Sequence, residues 1–312
     1  MSAAGRRGNL ILSVAEDYEW RHVRPFLESL RATDFDGDVR FFAAGMPRDS
    51  VERVERAGAA DGRPRRFRVR VRGHVFRLYD RPLTRVRWHV QPAYRHVLDA
   101  LSRLGRDRET TRARILGVVA NTDVARHCFY LDHLLRVGHE YDNVMLSDVR
   151  DVVFLGDPFD FDIGDSMYCF AEAESFTIDK QVNNRGWLIG AYGEAALREL
   201  GDRPILCAGV TIGRTSAVIA YLRLMIDQLA RLPRQPLGVD QGVHNYLVHK
   251  GLVPNARLVG NREGAVLTVG LMSEAEAAAA LEERAHEIRV VHQYDRHPHL
   301  LDVLSSLSHT SV

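Results

Sequence analysis

The sequence lacks the features of disulfide-stabilised, secreted and membrane-spanning proteins. Cys128, Cys169 and Cys207 are its only cysteines in 312 residues, and no C-x-x-C pair occurs. This spacing argues against a disulfide framework or a zinc knuckle. No run of about 18 apolar residues exists, and the polar start MSAAGRRGN lacks the apolar core of a secretion signal. We therefore expect a cytoplasmic protein without a membrane span.

An excess of charge of one sign is also missing. The 42 Lys and Arg residues are balanced by 41 Asp and Glu residues, which gives a formal net charge of +1. Lysine occurs only at Lys180 and Lys250, so nearly all of the basic residues are arginine. Without a basic excess there is no overall field to attract nucleic acid or an anionic membrane, and we expect neither as a partner. Any polyanion must be bound by a local group of side chains.

Common nucleotide-binding and hydrolytic motifs are absent as well. The chain has no GxxxxGK[ST], and no GxGxxG follows its first apolar segment. A P-loop and a dinucleotide-binding fold are therefore excluded, because each requires its glycine-rich loop at a helix start. HExxH and GxSxG are also missing. The functional residues must belong to a different kind of site.

Apolar runs and helical periodicities alternate along the chain, whose 46% hydrophobic content is that of a globular protein. Runs and alternating patterns predict strands at 9–15, 39–43, 64–72, 143–147, 152–155, 167–171, 205–213 and 289–292. Periodic segments predict helices near 23–30 and at 48–58, 92–104, 123–137, 186–200, 215–231, 240–250 and 273–288. A surface loop is expected at 105–114, and a polar loop before 186. Alternating strands and helices indicate an α/β fold, with one domain over 1–312 as the default.

Two acidic residues follow one of the predicted strands. The segment VMLSDVRDVVFLGDPF places Asp148 and Asp151 just past the strand at 143–147. Carboxylates at such an edge can bind Mg²⁺ or Mn²⁺, which fills its remaining positions with phosphate oxygens of a substrate. Arg150 could contact the same diphosphate. Alternatively, the two aspartates only end a strand and pair with nearby arginines.

A histidine and an arginine are further candidates. His292 ends an apolar strand much as Asp148 does, and neutral imidazole is a ligand for Mn²⁺. Arg126 lies on the helix before the acidic segment, and its planar guanidinium can bind phosphate through two hydrogen bonds. His297 and His299 flank a proline in a polar stretch, and we expect them to be solvated loop residues.

Polar residues elsewhere are suited to a hydroxyl-rich ligand. Asp240 and Gln241 begin a predicted helix, so they are either its first polar turn or ligand contacts. Glu172 follows the strand at 167–171 and opens a polar loop that ends at Trp187. Carboxylate and amide groups of this kind can bind sugar hydroxyls, and loop solvation explains them equally well.

Three separated segments carry a family resemblance. A helix with Arg126 and Tyr130 precedes YDNVMLSDVRDVVFLGDPF, which looks like a strand followed by a DxD metal motif. CAGVTIG at 207–213, with GVDQGVHN at 238–245, is similar to an acceptor-side segment and a DQ-containing helix start. VVHQYDRHP at 290–298 is similar to a late metal-binding histidine segment. Together they resemble the GT-A glycosyltransferases, and among these the retaining enzymes related to glycogenin and bacterial lipopolysaccharide galactosyltransferases.

The resemblance covers about 9–298 and implies a GT-A-like single domain with a mixed central sheet flanked by helices. Residues 9–155 would form the nucleotide-binding half, and 156–300 the half that binds the sugar and the acceptor. The implied activity is that of a hexosyltransferase-like enzyme. It would move a sugar from a nucleotide-diphosphate donor, expected to be a UDP-sugar, to a hydroxyl of a glycan or small-molecule acceptor, with retention of the anomeric configuration.

The resemblance also implies roles for individual residues. Mn²⁺ or Mg²⁺ would be held by Asp148, Asp151 and His292. The nucleotide sugar would be contacted by Ala15, Glu16, Arg126, Tyr130 and Arg150. Near the donor sugar, Asp240 would hold hydroxyls and Gln241 would face the developing oxocarbenium charge. Glu172 would help to position the sugar.

One departure from the family motif leaves alternatives open. The chain has Asp148-Val-Arg-Asp151, whereas the family places its second carboxylate two positions after the first. Either Asp151 substitutes for that carboxylate through a tighter turn, or Arg150 replaces the charge of the ion partly or wholly. The second case favours a metal-independent or inverting transferase. A sugar-nucleotide-binding protein without turnover is the alternative outside the enzymes.

Overall fold

The computed structural model describes residues 8–59, 68–72, 96, 100–103, 105, 107–232, 234–300 and 304. The strands are β1 (Gly8–Glu16), β2 (Asp38–Ala44), β3 (Arg68–Arg72), β4 (Tyr141–Ser147), β5 (Val152–Phe154), β6 (Met167–Ala171), β7 (Leu206–Arg214), β8 (Ala256–Val259), β9 (Val266–Thr268) and β10 (Val290–His292). Most of the helix predicted at 92–104 and the start of the strand predicted at 64–72 lie outside the described residues.

Helices lie between many of these strands. Within the described residues the α-helices are α1 (Trp20–Arg31), α2 (Arg48–Ala59), α3 (Arg108–Val119), α4 (Thr122–Val137), α5 (Val182–Leu200), α6 (Thr215–Arg231), α7 (Val239–His249) and α8 (Glu274–Arg284). The helix predicted at 215–231 is confirmed over its full length. In the part of the chain that the structure describes, no helix combines the length and apolar character needed to cross a bilayer.

Within the described residues, seven strands form one sheet in the order β3-β2-β1-β4-β7-β6-β8. β3, β2, β1 and β4 run parallel, whereas β7 is antiparallel to both β4 and β6. The expected mixed sheet of an α/β protein is therefore confirmed. The pairing of β4 with β7 joins the two expected halves of the chain in one sheet.

The central strand β1 is buried on both faces, which explains its continuous apolar run. Successive side chains point to opposite faces of a strand. Leu10 and Leu12 accordingly pack in one hydrophobic cluster with α4 and α6, and Ile11 packs in a second with α1. All three side chains are at most 1% exposed.

Three features differ from the sequence-based expectations. Helix α3 occupies most of the expected loop at 105–114, and the Asp107 carboxylate caps it by accepting the Glu109 N–H at 3.0 Å. The sequence hides the start of this helix because Ala113 is the only apolar residue within 108–114. Helix α5 begins at Val182 instead of 186, since the Gln181 side chain accepts the Asn184 N–H at 2.7 Å. The short strands β8 and β9 were not predicted.

Two strand connections place the residues of interest. β1 and β4 are adjacent and parallel, so the segments that follow Glu16 and Ser147 meet at one edge of the sheet. After a turn at 148–151, β5 leaves the main sheet and pairs antiparallel with β10 in a small sheet of order β5-β10-β9. His292 lies opposite Val152 in this pairing, directly beside the acidic turn.

Candidate functional site

A cleft of about 690 Å³ opens at this edge of the sheet. It is lined by almost all of the residues that the sequence analysis proposes for the site. These are Glu16, Arg126, Tyr130, Asp148, Arg150, Asp151, Glu172, Asp240, Gln241 and His292. Residues from both expected halves of the chain thus share one cleft.

Ala15 is the proposed residue that the structure does not bring to the cleft. Its side chain is 0% exposed and packs in the hydrophobic cluster beneath β1. Because successive side chains alternate along a strand, Val14 and Glu16 line the cleft instead. The expected contact of Ala15 with a ligand in the cleft is therefore wrong, because Ala15 is buried in the core while Val14 and Glu16 line the cleft.

The two aspartates and the histidine of the proposed metal site lie together. Asp148, Asp151 and His292 each offer one ligand atom within 4.8 Å of the others. His292 Nε2 is 3.7 Å from Asp148 Oδ2 and 3.6 Å from Asp151 Oδ2. The two residues between Asp148 and Asp151 are thus no obstacle to a shared site, because the turn brings both carboxylates to the same imidazole.

The backbone fixes this arrangement from two sides. The Asp148 N–H donates to the Gly209 carbonyl at 2.7 Å, and the Gln293 N–H donates to the Asp151 carbonyl at 2.7 Å. Gln293 adopts a left-handed conformation with φ of 62° to make this turn. The acidic turn is therefore anchored both to β7 and to the end of β10.

The surroundings of His292 fit a divalent cation. Its Nε2 atom is buried without a hydrogen-bond partner and faces the two carboxylates. A Cβ atom added at Gly209 would lie 2.6 Å from Asp148 Oδ2 and 2.7 Å from His292 Nε2, so only glycine leaves this space free. Two carboxylate oxygens and one imidazole nitrogen suit Mn²⁺ or Mg²⁺. These three residues can therefore hold a metal ion.

The two carboxylates of the cluster differ electrostatically. Burial raises the pKa of Asp151 above its ordinary value. Burial acts in the same direction on Asp148, but the Arg126 guanidinium and His292 together outweigh it and lower the pKa of Asp148. Burial favours neutral His292, yet the combined interactions with Cys207, Asp151 and Asp148 raise its pKa well above the ordinary value. This pocket attracts positive charge, which either a proton or a metal ion can supply.

Arg126 links the metal-ligand cluster to the far side of the cleft. Its Nη1 atom donates to Asp148 Oδ1 at 2.5 Å, and its Nη2 atom donates to Asp240 Oδ2 at 2.5 Å. Burial alone would raise the pKa of Asp240, but the charge and hydrogen bonds supplied by Arg126 and His127 together hold that pKa far below its ordinary value. The Arg126 side chain is 16% exposed, so the bridge is largely shielded from water.

Gln241 and Glu172 form a second polar group opposite the cluster. Gln241 Oε1 accepts the Ala208 N–H at 2.8 Å, and its Nε2 donates to Glu172 Oε1 at 2.9 Å. Both ends of the Gln241 amide are thus held in place. Burial raises the pKa of Glu172. Trp187 lines this side too, packed so closely that a Cβ at Gly238 would lie 2.2 Å from its ring.

Arg150 points away from the pair of carboxylates. Its Nε atom lies 3.4 Å from Asp295 Oδ2, and its side chain is 58% exposed. Arg150 still lines the cleft, as does Tyr130, whose side chain is only 2% exposed. The structure therefore places Arg150 at the rim of the cleft and not between Asp148 and Asp151.

Several cleft residues were missed by the sequence analysis. Tyr18 lies two residues after the end of β1, and burial, together with the Asp148 charge, raises its pKa to about 12. Asp123 lies one helical turn before Arg126, and burial followed by the Asp240 charge raises its pKa to about 6. Helical spacing from Arg126 could have identified Asp123. Arg296 also lines the cleft, four residues after His292.

The expectation for one of the later histidines is wrong. His297 is buried, and its Nε2 lies 2.9 Å from the Val269 carbonyl oxygen. His299 is exposed, as expected. The short 3-10 helix at Tyr294–Arg296 turns the chain back, which places His297 against the small sheet.

Comparison with known proteins supports the fold. No protein-family model matches the sequence, and no curated protein matches it. Among 196 matching solved chains is the apo structure of the bifunctional glycosyltransferase WbbM, with a TM-score of 0.54 and 10% sequence identity. The match covers 94% of this chain and 46% of WbbM, so this chain spans about half of that protein. The structure thus has a glycosyltransferase-like α/β fold.

Proposed function

We propose that this protein is a glycosyltransferase that moves a sugar from a nucleotide-diphosphate donor, a UDP-sugar, to an acceptor hydroxyl. The observation that carries the proposal is the Arg126 bridge in the cleft. It connects an Asp148-centred group suited to a metal ion with Asp240 on the side proposed to hold the sugar. A sugar bonded to a diphosphate needs positive charge for its phosphates directly beside polar groups for its hydroxyls.

Each part of the donor has a chemically suitable place along the cleft. The nucleoside is placed at the end of β1, near Glu16 and Tyr18. The diphosphate is placed between the Asp148 cluster and the guanidinium groups of Arg126 and Arg150. Mn²⁺ or Mg²⁺ held by the cluster would neutralise charge on the departing diphosphate. The guanidinium groups add to that stabilisation in a partly water-excluded site.

The sugar is placed against Asp240, Gln241 and Glu172. Asp240 is 3% exposed and its carboxylate is held by Arg126, so it is better suited to orient hydroxyls than to attack a carbon atom. The fixed amide of Gln241 would face the reacting carbon. We propose retention of the anomeric configuration, with the acceptor entering on the face from which the diphosphate leaves.

Chelation by both aspartates is favoured over replacement of the ion by Arg150. Arg150 is paired with Asp295, whereas Asp151 faces the unpartnered His292 nitrogen. A metal-dependent reaction is therefore part of the proposal. The metal-independent, inverting and non-catalytic alternatives remain distinct outcomes of the experiment that follows.

The test measures stability and donor hydrolysis with UDP-sugars, with and without Mn²⁺. Ligand binding to the native state raises the melting temperature, and a working transferase usually releases some sugar to water. Asp148→Asn should retain the fold and lose the Mn²⁺-dependent part of both signals. Asp142→Asn is the matched control, because Asp142 lies at the other end of β4 and pairs with Arg214 at 3.3 Å.

Each alternative has its own result. Donor binding without any hydrolysis or transfer would indicate a binding protein. Full turnover in EDTA would indicate a metal-independent enzyme. Proton NMR of the first-formed product from an α-linked donor reads the stereochemistry, and a β-linked product would establish inversion.

A further inference from the structure

The thiol of Cys207 lies directly behind the proposed metal-binding imidazole. Cys207 Sγ is 3.2 Å from His292 Nδ1, the ring nitrogen opposite the unpartnered Nε2. The cysteine is 1% exposed and is a free thiol. Cys207 belongs to β7 and His292 to β10, so this contact joins the main sheet to the small one.

The direction of this hydrogen bond decides whether His292 can bind a metal ion. If the thiol donates to Nδ1, the ring proton of neutral imidazole lies on Nε2, where it faces Asp148 and Asp151. If Nδ1–H donates to sulfur, the Nε2 lone pair faces the carboxylates instead. Only the second tautomer offers a ligand atom, because a metal ion binds the unprotonated nitrogen.

A second contact shows that the sulfur is placed as an acceptor. The Gly209 backbone N–H donates to Cys207 Sγ at 3.3 Å. A backbone amide can only donate, so the sulfur atom already accepts one hydrogen bond from a fixed group. His292 Nδ1–H would be the second donor to the same atom. Metal-binding histidines commonly donate their other ring N–H to such an acceptor, which fixes the tautomer and the ring orientation.

We infer that Cys207 is a positioning residue that holds His292 in the Nδ1–H tautomer when the site binds a divalent cation. The inference rests on the metal site of the proposed function, and it adds a residue outside the ligand set. Cys207 acts through His292 and makes no contact with the ion itself. Its side chain thereby links the sheet that carries Gly209 to the histidine at the end of β10.

The experiment measures Mn²⁺ affinity by calorimetry in the full chain, without a donor substrate. Cys207→Ala removes the acceptor and should weaken Mn²⁺ binding about tenfold. This is the lower end of the loss in metal affinity when a residue that hydrogen-bonds to a metal ligand is replaced. Cys207→Ser keeps an acceptor and should restore most of the affinity. Cys169→Ala is the matched control, because Cys169 is a buried cysteine of β6 within the hydrophobic core, and it should bind Mn²⁺ like the wild type.

The tautomer has its own measurement, which does not depend on activity. Long-range ¹H–¹⁵N spectra of ¹⁵N-histidine-labelled protein with Mg²⁺ distinguish protonated from unprotonated ring nitrogens. The His292 signals are identified by their loss in His292→Gln. We expect Nδ1 protonated in the wild type and a mixture of tautomers in Cys207→Ala.

The results separate this inference from the proposed function. If the wild type binds neither Mn²⁺ nor Mg²⁺, the metal site itself is wrong and the inference falls with it. If the wild type binds the metal and Cys207→Ala binds it equally well, only the role of Cys207 is overturned. An unprotonated Nδ1 in the Mg²⁺-loaded wild type would overturn it as well.

Discussion

Gly209 forms the floor of the space between Asp148 and His292, and Gly209→Ala tests the geometry of the proposed metal site. The added Cβ would lie 2.6 Å from Asp148 Oδ2 and 2.7 Å from His292 Nε2. Contacts below 3.0 Å are essentially absent for real Cβ atoms, so a neighbour must move. His292 is 1% exposed and held by Cys207, whereas the Asp148 side chain is 36% exposed.

Asp148 is therefore the side chain that yields. Its displacement disturbs the 2.5 Å bond from Arg126 and separates the carboxylate from His292. We expect a loss of about 1–3 kcal/mol in the free energy of unfolding, the usual range for overpacking of a filled site. Mn²⁺ affinity should fall by at least a factor of about 10, since a ligand and its orienting partner are both disturbed.

Calorimetric Mn²⁺ titration and urea unfolding of the same preparations measure the two effects. Gly190→Ala is the control, because a Cβ at Gly190 meets nothing within 4 Å and the residue lies inside α5. That variant should gain up to about 1 kcal/mol from helix propensity and bind Mn²⁺ normally. Wild-type Mn²⁺ affinity in Gly209→Ala would show that the ion does not bind between Asp148 and His292.

Three further predictions concern the charges around the cleft. The native pKa of Asp123, about 6 against 3.8 in the unfolded chain, means that the free energy of unfolding falls as the pH rises from about 4 to 6. Asp123→Asn should therefore be more stable than the wild type by about 2 kcal/mol at pH 7.5 and lose most of that gain at pH 4, measured by urea unfolding. Gln241→Glu replaces the amide donor 2.9 Å from Glu172 Oε1 with a second carboxylate. The free energy of unfolding should therefore fall by about 3 kcal/mol at pH 7.5 and by less at pH 4.5. Equal losses at the two pH values would contradict this prediction. Arg126→Met leaves Asp148 and Asp240 without their shared cation. The free energy of unfolding, measured by thermal or urea unfolding, should fall by about 3–5 kcal/mol. A loss below about 1 kcal/mol would show that the bridge is not formed in solution.

Local patterns in the sequence were sufficient for many elements. The apolar run of β1 could only be a strand buried on both faces, because its residues pack against helices on either side of the sheet. Ser273 and Glu276 predicted the start of α8, and the structure shows their reciprocal capping box. The acidic residues after β4 marked the edge at which the cleft is found. These features depend on neighbours within a few residues, which a sequence displays directly.

Local patterns failed where burial or backbone geometry is set from elsewhere. Ala113 is the only apolar residue within 108–114, so the first half of helix α3 shows no apolar periodicity. The helix packs against α4, and the sequence pattern does not display this contact. Ala15 was assigned to the cleft because its strand ends there, but the direction of each side chain depends on the sheet. The pleat turns Ala15 inward and Glu16 outward.

The site itself was decided by contacts between distant parts of the chain. Arg126 meets a residue 22 positions away and another 114 positions away, and its position on the helix before the acidic segment did not reveal that it bridges these two carboxylates. Cys207 and His292 are separated by 85 positions and meet because β7 pairs with β4 while β10 pairs with β5. The residue types at the strand ends can be read directly from the sequence. Which of these residues face one another depends on the folded chain, because strand pairing and register set the distances between side chains.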